Sequence, residues 1–514
     1  MKRNLWGSDA PPEDHVLDVL VYRSRLIGAD PDLVVWGGGN TSAKTVETDH
    51  LGREREVVRI KGSGTDLKSI DPSGFPGIFR EDVMPLLARE AMTDEEMVAY
   101  LEHCMVEPGG RRPSIETLLH AFLRTRHVDH VHADAIVTLT NTARGREAVM
   151  EALGDRVAFV PYRRPGFQLA KQVCAAAVRS DAVVLEKHGL VTWGETARES
   201  YSKTIELVER AEQYLRTKAR GRPNWTQTGV KPPADVARLL LRLRGRLGHV
   251  ILGANTGPEF REIADRPDVH ELAAAGPATA DHVLRIRPWA CVVGDDPAAA
   301  IDAYEEKYRA FFERHAEPGV TMLDPRPKVF LIPGFGVITS ARDAKDARVT
   351  ADVALHTLRV AANGTDAHGQ YESLSEKDLF HVDYWPLELY KLTIAPPPQE
   401  LEGRIVVITG AASGIGRAVA RRLAELGTQP VLLDLNHDGL QRTAELISEA
   451  GKAEPMCICV DLTDAEATGL AVRRAIETYG GIDALVSNAG IPATGRLTEV
   501  SPYEWRRSLE VNTT

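Results

Sequence analysis

Three histidines are spaced as a metal ion would need them. His130 and His132 flank Val131 in V-D-H-V-H-A-D-A-I-V-T-L, and the alternation and β-branching of that run predict a strand. Residues two apart on a strand share a face, so both imidazoles reach one ion. His188 comes at the end of a second apolar run, Ala182–Leu185, just before Gly189. Three neutral imidazoles with an open fourth position form the pattern of a catalytic zinc, for which cobalt or manganese can substitute. An H-x-H pair alone is more often structural. A second kind of chemistry is written near residue 410. The buried-strand run Ile405–Thr409 leads into Gly410-Ala411-Ala412-Ser413-Gly414-Ile415-Gly416 and then a helical pattern from Arg417 to Leu426. Glycines there make a tight turn and let pyrophosphate sit at a helix N-terminus.

The histidines stand in a longer order. Ser114-Ile115-Glu116-Thr117-Leu118-Leu119-His120 precedes the H-x-H strand, and K-H-G-L-V-T-W-G carries the third histidine. Upstream lie Gly39-Asn40-Thr41-Ser42 and Lys61-Gly62-Ser63-Gly64. Over about residues 15 to 220 this order resembles the class II aldolase/adducin family. The resemblance implies a divalent metal, zinc by preference, on His130, His132 and His188. It implies retro-aldol cleavage, with the metal as Lewis acid and Glu116 protonating the enediolate carbon. It also implies that Gly39, Asn40, Ser63, Gly64 and Ser114 hold the substrate phosphate, through backbone N–H groups and short polar side chains. The blander readings stay open: each of these is a common turn residue, Glu116 fits a solvated helix position paired with His120 one turn on, and His120 itself reads as packing or support rather than a ligand.

The run T-G-x-x-x-G-x-G at 409–416 resembles the short-chain dehydrogenase/reductase family, and three further places agree. Strand Pro430–Leu433 ends at Asp434, where an acid accepts from the ribose hydroxyls and repels a 2′-phosphate, so NAD is preferred. Asp461-Leu462 follows a strand at Met456–Val460 and matches the family's adenine contact. Ser487-Asn488-Ala489-Gly490 resembles the N-A-G motif. By the same resemblance Gly410, Ser413, Gly414, Ile415, Gly416, Asp434, Asp461, Leu462, Asn488, Ala489 and Gly490 hold the cofactor, and Asn512 matches the asparagine that organises the proton relay. The catalytic Ser and Tyr-x-x-x-Lys of that family lie beyond these motifs, so the expectation is a truncated dehydrogenase domain without oxidation activity of its own. An incomplete parallel sheet is expected to leave an exposed edge, with residues from about 400 disordered, protease-sensitive or packed against a neighbour.

The elements that must position these residues alternate along the chain. Of 514 residues, 43% are hydrophobic and 26% charged, an ordinary globular composition for two to four domains. A net charge of -11 with no basic block argues against a nucleic-acid surface, and no apolar run is long enough to span a bilayer. With no signal-peptide core and five scattered cysteines (Cys104, Cys174, Cys291, Cys457, Cys459), the expectation is buried thiols in a reducing cytoplasm. The fold class expected is α/β: a class II aldolase-like domain over 1–225, an aldolase-like second half over 226–393 that is inactive, a Pro-rich linker at 394–400, and the first part of a Rossmann-type doubly wound parallel sheet over 401–514. The second half reads as a degraded copy. Aligning V-V-L-E-K-H-G-L-V-T-W-G at 183–194 with V-F-L-I-P-G-F-G-V-I-T-S at 329–340 puts Phe335 where His188 stands.

The whole arrangement resembles the bifunctional rhamnulose-1-phosphate aldolase/short-chain dehydrogenase proteins. That resemblance implies cleavage of a deoxy-ketose 1-phosphate to dihydroxyacetone phosphate and lactaldehyde, oxidation of the aldehyde with NAD, and a homo-oligomer. The alternatives are a sugar-phosphate 4-epimerase using the same metal site and a non-catalytic adducin-like scaffold.

Overall fold

The computed structural model describes residues 4–219, 233, 235–393, 397–451, 453–492, 495–496 and 498–513; the start of the expected linker, 394–396, lies outside them. The chain forms two compact units. One comprises Met1–Asn224, Ala274–Pro288 and Val353–Ile394; the other comprises Trp225–Ala273, Trp289–Asp352 and Ala395–Thr514. The stretch expected as a second half is therefore divided between them.

The first unit is built on seven strands: β1 (Asn40–Thr48), β2 (Glu54–Ile60), β3 (Gly77–Phe79), β4 (His127–Val131), β5 (Val157–Val160), β6 (Ala182–Leu185) and β7 (Gly189–Gly194). Their order is β3-β2-β1-β4-β7-β6-β5, with only β5 and β6 parallel. Strands β4, β6 and β7 are buried along their whole length, as central strands covered on both faces must be. The two faces carry separate cores. Val131, Leu190 and Val184 pack with Leu20, Ile136 and Tyr201 on one side; Val128, Val191 and Val183 pack with Leu118, Phe122 and Val173 on the other. Asp129 points into the first core, where it meets Arg23 at 2.9 Å and accepts from Ser200 Oγ at 2.7 Å, so a buried charge is paired.

The second unit repeats part of this plan. Strands β8 (Ile251–Asn255), β9 (Cys291–Val292), β10 (Val329–Ile332) and β11 (Gly336–Ala341) lie in the order β8-β11-β10-β9. Order and directions match β4-β7-β6-β5: the last pair is parallel and the others antiparallel. The register matches as well. Leu185 opposes Gly189, and Ile332 opposes Gly336. A Cβ on Gly189 would lie 2.3 Å from Val131 O, and one on Gly336 would lie 2.3 Å from Asn255 O, so the same tight strand crossing demands glycine twice. Strands β1–β3 have no counterpart in the four-stranded sheet.

The same unit contains a parallel sheet of β12 (Ile405–Thr409), β13 (Gln429–Asp434), β14 (Met456–Cys459) and β15 (Ala484–Val486), in the order β14-β13-β12-β15. This is the Rossmann-type arrangement expected. One face packs against the helices Gly414–Glu425 and His437–Glu449 through Ala420, Ala424 and Leu440. The other packs against the helix Ala465–Tyr479 and against Ile251 of β8. Strand β15 forms an edge of the sheet, and Leu485 there is 64% exposed. All five cysteines are free thiols, but only Cys104 and Cys291 are buried as expected; Cys174 and Cys457 are half-buried and Cys459 is exposed.

Candidate metal centre

Three imidazoles meet at one buried point. Pairing of β4 with β7 sets His130 opposite Val191, and the turn from β6 into β7 delivers His188 beside it. His130 Nε2 lies 3.0 Å from His132 Nε2 and 3.2 Å from His188 Nε2. Ligands on a tetrahedral zinc at about 2.0–2.1 Å are separated by roughly 3.3 Å, so these nitrogens already stand at the edges of such a site. Hydrogen bonding alone does not account for the cluster, because a nitrogen that faces two others gives a proton to at most one. Burial is the largest influence on His130 and His188; it lowers both, His188 to about 3, against the pull of Glu116, and leaves neutral imidazoles with free lone pairs. Among the described residues no other group of three or more His, Cys, Asp or Glu side chains is close enough to hold an ion.

Glu116 joins them from the residue that precedes the helix Thr117–Phe122. Its Oε2 lies 3.4 Å from His130 Nε2 and its Oε1 3.5 Å from His188 Nε2. Burial pushes the carboxyl up, but the positive charge that the neighbouring imidazoles take on in acid and a hydrogen bond from Asn40 outweigh it and hold Glu116 below the usual carboxylate range. Asn40 on β1 is the cross-strand partner of His130. Its Nδ2 donates to Glu116 Oε2 at 2.7 Å, and its Oδ1 lies 2.5 Å from His120 Nε2. His120 Nδ1 in turn lies 2.8 Å from Ser42 Oγ. Since the amide oxygen must accept, His120 carries its proton on Nε2 and takes one from the Ser42 hydroxyl at Nδ1. His120 is thus the support the sequence suggested, one link behind Glu116.

The residues assigned to phosphate divide in two. Asn40 has its amide committed to Glu116 and His120, while Ser114 Oγ sits 3.3 Å from Asn40 Nδ2 and accepts from Glu116 N at 3.2 Å. Gly39 is tightly enclosed and its carbonyl accepts from Lys61 Nζ at 2.7 Å. Ser63 and Gly64 are exposed, and a Cβ on Gly64 would meet nothing. They are tied to the Ser114 turn through Ser63 N to Arg112 O at 2.8 Å and Ser114 N to Lys61 O at 3.2 Å. The repeated sheet carries none of these three histidines: register places Ala254 at the position of His130, Thr256 at that of His132 and Phe335 at that of His188.

In the parallel sheet, Gly410 and Gly414 have φ of +65° and +51°, the left-handed region that favours glycine. A Cβ on Gly416 would lie 2.1 Å from Gly410 O. Ser413 precedes the helix Gly414–Glu425 without a side-chain cap, leaving its N–H groups open, and Ile415 beside them is 75% exposed. Asn488 Nδ2 donates to Thr409 O at 3.0 Å and Gly410 O at 3.3 Å, so it braces the glycine turn; Thr409 Oγ1 takes the N–H groups of Asn488 and Ala489. Asp434 accepts from Ala412 N and Asn436 N, each at 3.0 Å. Asp461 takes Arg507 Nη2 at 3.1 Å, and Leu462 packs on the sheet's core. Asn512 Oδ1 accepts from Ile491 N at 2.9 Å, next to Gly490. These residues fit a dinucleotide: an open helix terminus behind a tight glycine turn, with a carboxylate at the end of the neighbouring strand.

Sequence reasoning missed Asp281, whose Oδ1 lies 3.2 Å from His132 Nδ1. It also missed Lys61, whose ammonium is spent on the carbonyls of Gly37 and Gly39. No local pattern marks Asp281; the lysine of K-G-S-G was visible but read only as part of a loop.

Three family models match the chain: the class II aldolase and adducin N-terminal domain over residues 19–215, the class II aldolase second domain over 234–392, and the short chain dehydrogenase over 404–514. An uncharacterized oxidoreductase of Bacillus subtilis (strain 168), YuxG, is 37% identical across 99% of this chain and 78% of its own length. An uncharacterized oxidoreductase of Thermotoga maritima is 33% identical over 114 residues, which are 22% of this chain and 44% of that protein. Among solved structures, the N-terminal class II aldolase domain of a conserved protein from Thermoplasma acidophilum is 46% identical. It aligns over 42% of this chain and all of that one, with a TM-score of 0.40.

Proposed function

We propose, for a chain that belongs to the family in which class II aldolase domains are fused to a short-chain dehydrogenase domain, that the metal centre cleaves a deoxy-ketose 1-phosphate by a retro-aldol reaction. The observation that carries this is the convergence of His130, His132, His188 and Glu116 on one buried point. A divalent ion held by the three imidazoles, zinc by preference, would supply Lewis-acid stabilisation of the negative charge that builds on the ketone fragment. Glu116 moves the proton. Cleavage of the C3–C4 bond turns the C4 hydroxyl into an aldehyde and leaves the electron pair at C3. An ionised Glu116 takes the hydroxyl proton and returns it to C3, so protons balance within one turnover. Asn40, held by His120, fixes the carboxylate for both transfers. Ser63, Gly64 and the Ser114 turn, with backbone N–H groups of Gly39 and Asn40, form the phosphate side.

Rhamnulose 1-phosphate is the first substrate to try, giving dihydroxyacetone phosphate and lactaldehyde. Where the family's catalytic Ser and Tyr-x-x-x-Lys accompany it, the dehydrogenase domain would then have a reactive aldehyde to oxidise with NAD, with Asp434 favouring the unphosphorylated ribose. The chain spans 22% of its length in matching Thermotoga maritima oxidoreductase, and that match covers under half of the relative, so this second activity belongs to the proposal. The aldolase repeat that lacks ligands is assigned no turnover, and a cytoplasmic homo-oligomer acting on small phosphorylated sugars completes the reading. No described helix is long and apolar enough to cross a membrane.

The test is release of dihydroxyacetone phosphate from rhamnulose 1-phosphate and fuculose 1-phosphate. It is run on the untreated protein, after chelation, and after return of Zn²⁺, Co²⁺ or Mn²⁺. Cleavage lost with the metal and restored by it is the expected result. Interconversion of ribulose 5-phosphate with its 4-epimer, and no triose phosphate, would reassign the site to epimerisation; neither reaction in a metal-loaded protein would leave a scaffold.

A further inference from the structure

We propose that Asp281 is a positioning residue for the metal centre: its carboxylate holds the His132 proton on Nδ1, so that Nε2 faces the ion with its lone pair. The inference rests on reading His130, His132 and His188 as metal ligands. A neutral imidazole that ligates through Nε2 must carry its proton on Nδ1, and a partner for that N–H fixes both tautomer and ring orientation. His130 meets the requirement with Leu190 O, 3.2 Å from its Nδ1. His132 Nδ1 is buried and has no well-aligned hydrogen-bond acceptor, but Asp281 Oδ1 stands 3.2 Å from it. An anion at that distance favours the N–H on its own side of the ring and raises the basicity of the opposite nitrogen.

Asp281 is held in place. Thr279 Oγ1 donates to its Oδ1 at 2.6 Å. Ala278 is anchored at both ends, its N donating to Thr357 Oγ1 at 3.3 Å and its carbonyl accepting from Asn141 Nδ2 at 2.9 Å. His282 is buried, with Nδ1 3.1 Å from the same Thr357 hydroxyl. The glycine loop leaves room for the pair: a Cβ on Gly38 would lie 3.1 Å from Asp281 Oδ2 and 3.3 Å from His132 Nδ1. The same stretch also reaches the turn that bears His188. Lys187 has φ of +54° and donates from Nζ to Ser373 O at 2.7 Å, while Ser373 Oγ donates to Pro277 O at 2.6 Å.

The position of Asp281 in the repeat explains its origin. The first repeat passes directly from Leu153 to Val157, whereas the second runs from Ala274 to Cys291, and Asp281 lies in that added length. The second repeat has lost its own ligands, yet its insertion supplies a carboxylate to the first repeat's site.

The experiment uses the full chain, freed of metal and titrated with Zn²⁺ against a chromogenic chelator, beside Asp281→Asn, Asp281→Ala and Gly38→Ala. Asp281→Ala should weaken zinc binding about 10- to 100-fold, the usual effect of losing such a partner. Asp281→Asn should fall between Asp281→Ala and wild type, because its amide oxygen still accepts from Nδ1–H. Gly38→Ala should weaken binding by crowding the pair. In the Co²⁺-loaded proteins the visible bands should shift in both Asp281 variants, a signature that a fold-only role would not produce. Wild-type affinity and unshifted cobalt bands in Asp281→Ala would overturn the proposal. If Asp281→Ala melts early in the metal-free state, Asp281→Asn decides: shifted bands support the proposal and wild-type bands overturn it. A wild type that binds no ion, or a His132→Ala variant that binds it as tightly, would sink the metal-centre reading and this inference together.

Discussion

Glu116 has one oxygen spoken for and one free of hydrogen bonds. Oε2 accepts from Asn40, while Oε1 is buried without a hydrogen-bond partner, which leaves it to receive a proton. Glu116→Gln preserves shape and removes that capacity, so metal content should persist while turnover falls about 10²- to 10⁴-fold; metal analysis and triose phosphate release on one preparation check both halves. Asn40→Ala strands the His120 N–H and Glu116 Oε2 together, a loss of about 1–3 kcal/mol for a buried orphan group. It should lower Tm and reduce kcat more than it raises KM. A rise in KM alone would return Asn40 to the phosphate, where the sequence had placed it. The candidate metal ligands were legible because strand alternation puts His130 and His132 on one face and a glycine turn follows His188. The Asn40 link was not, because only the pairing of β1 with β4 brings Asn40 opposite His130.

At the scale of elements, the site depends on how closely β7 crosses β4. Gly189 is opposite Leu185 and sits against Val131 O, and a Cβ there would also come within 3.2 Å of His130 Cε1 and His132 Cδ2. The nearest obstacle is backbone, which cannot swing away as a side chain can. Gly189→Ala should therefore push the strands apart, cost a few kcal/mol in the manner of other overpacked cores (about 1–3), and lower zinc affinity with it; unchanged Tm and affinity would mean that the crossing relaxes freely. The repeat was readable from one matched strand–turn–strand segment because that segment carries this constraint. Gly336 meets Asn255 O at the same place, and Thr339 Oγ1 donates to Ala347 O as Thr192 Oγ1 does to Ser200 O. What the matched segment did not disclose is that only β4–β7 are repeated, since strands that are missing from the second copy leave no residues there to read.

At the scale of the molecule, family stretches and compact units do not coincide. Residues 234–392 match one family model, but 274–288 and 353–392 fold with the metal centre while the rest folds with the parallel sheet. The parallel sheet and its glycine turn were legible because consecutive strand–helix units pair locally. The division of 234–392 was not, because it rests on contacts between distant residues. Within the second unit several ion pairs join two of the family stretches, and the pair of Arg244 with Asp483 is the most buried of them. Arg244 Nη1 and Nη2 both reach Asp483, at 3.0 and 2.5 Å, and Arg244 Nη2 also donates to Gly403 O at 2.9 Å. Asp483 accepts further from Ile405 N at 2.7 Å, at the start of β12. Burial pushes the Asp483 carboxyl up, but the Arg244 and Ile405 hydrogen bonds and the charges of Arg244 and His249 outweigh it and take it below its ordinary 3.8. A carboxyl lowered in the fold contributes stability above its unfolded pKa and loses it as pH falls through the folded value. Asp483→Asn should thus destabilise this unit near neutral pH, toward the lower end of the about 3–5 kcal/mol that breaking a buried pair costs, because asparagine still accepts one hydrogen bond. The gap from wild type should hold down to about pH 4 and close below it, once the wild-type carboxyl begins to protonate. Urea denaturation at about pH 7, 5 and 3 reads the gap directly, and a gap that stays constant across all three would show that Asp483 does not carry its charge in the fold.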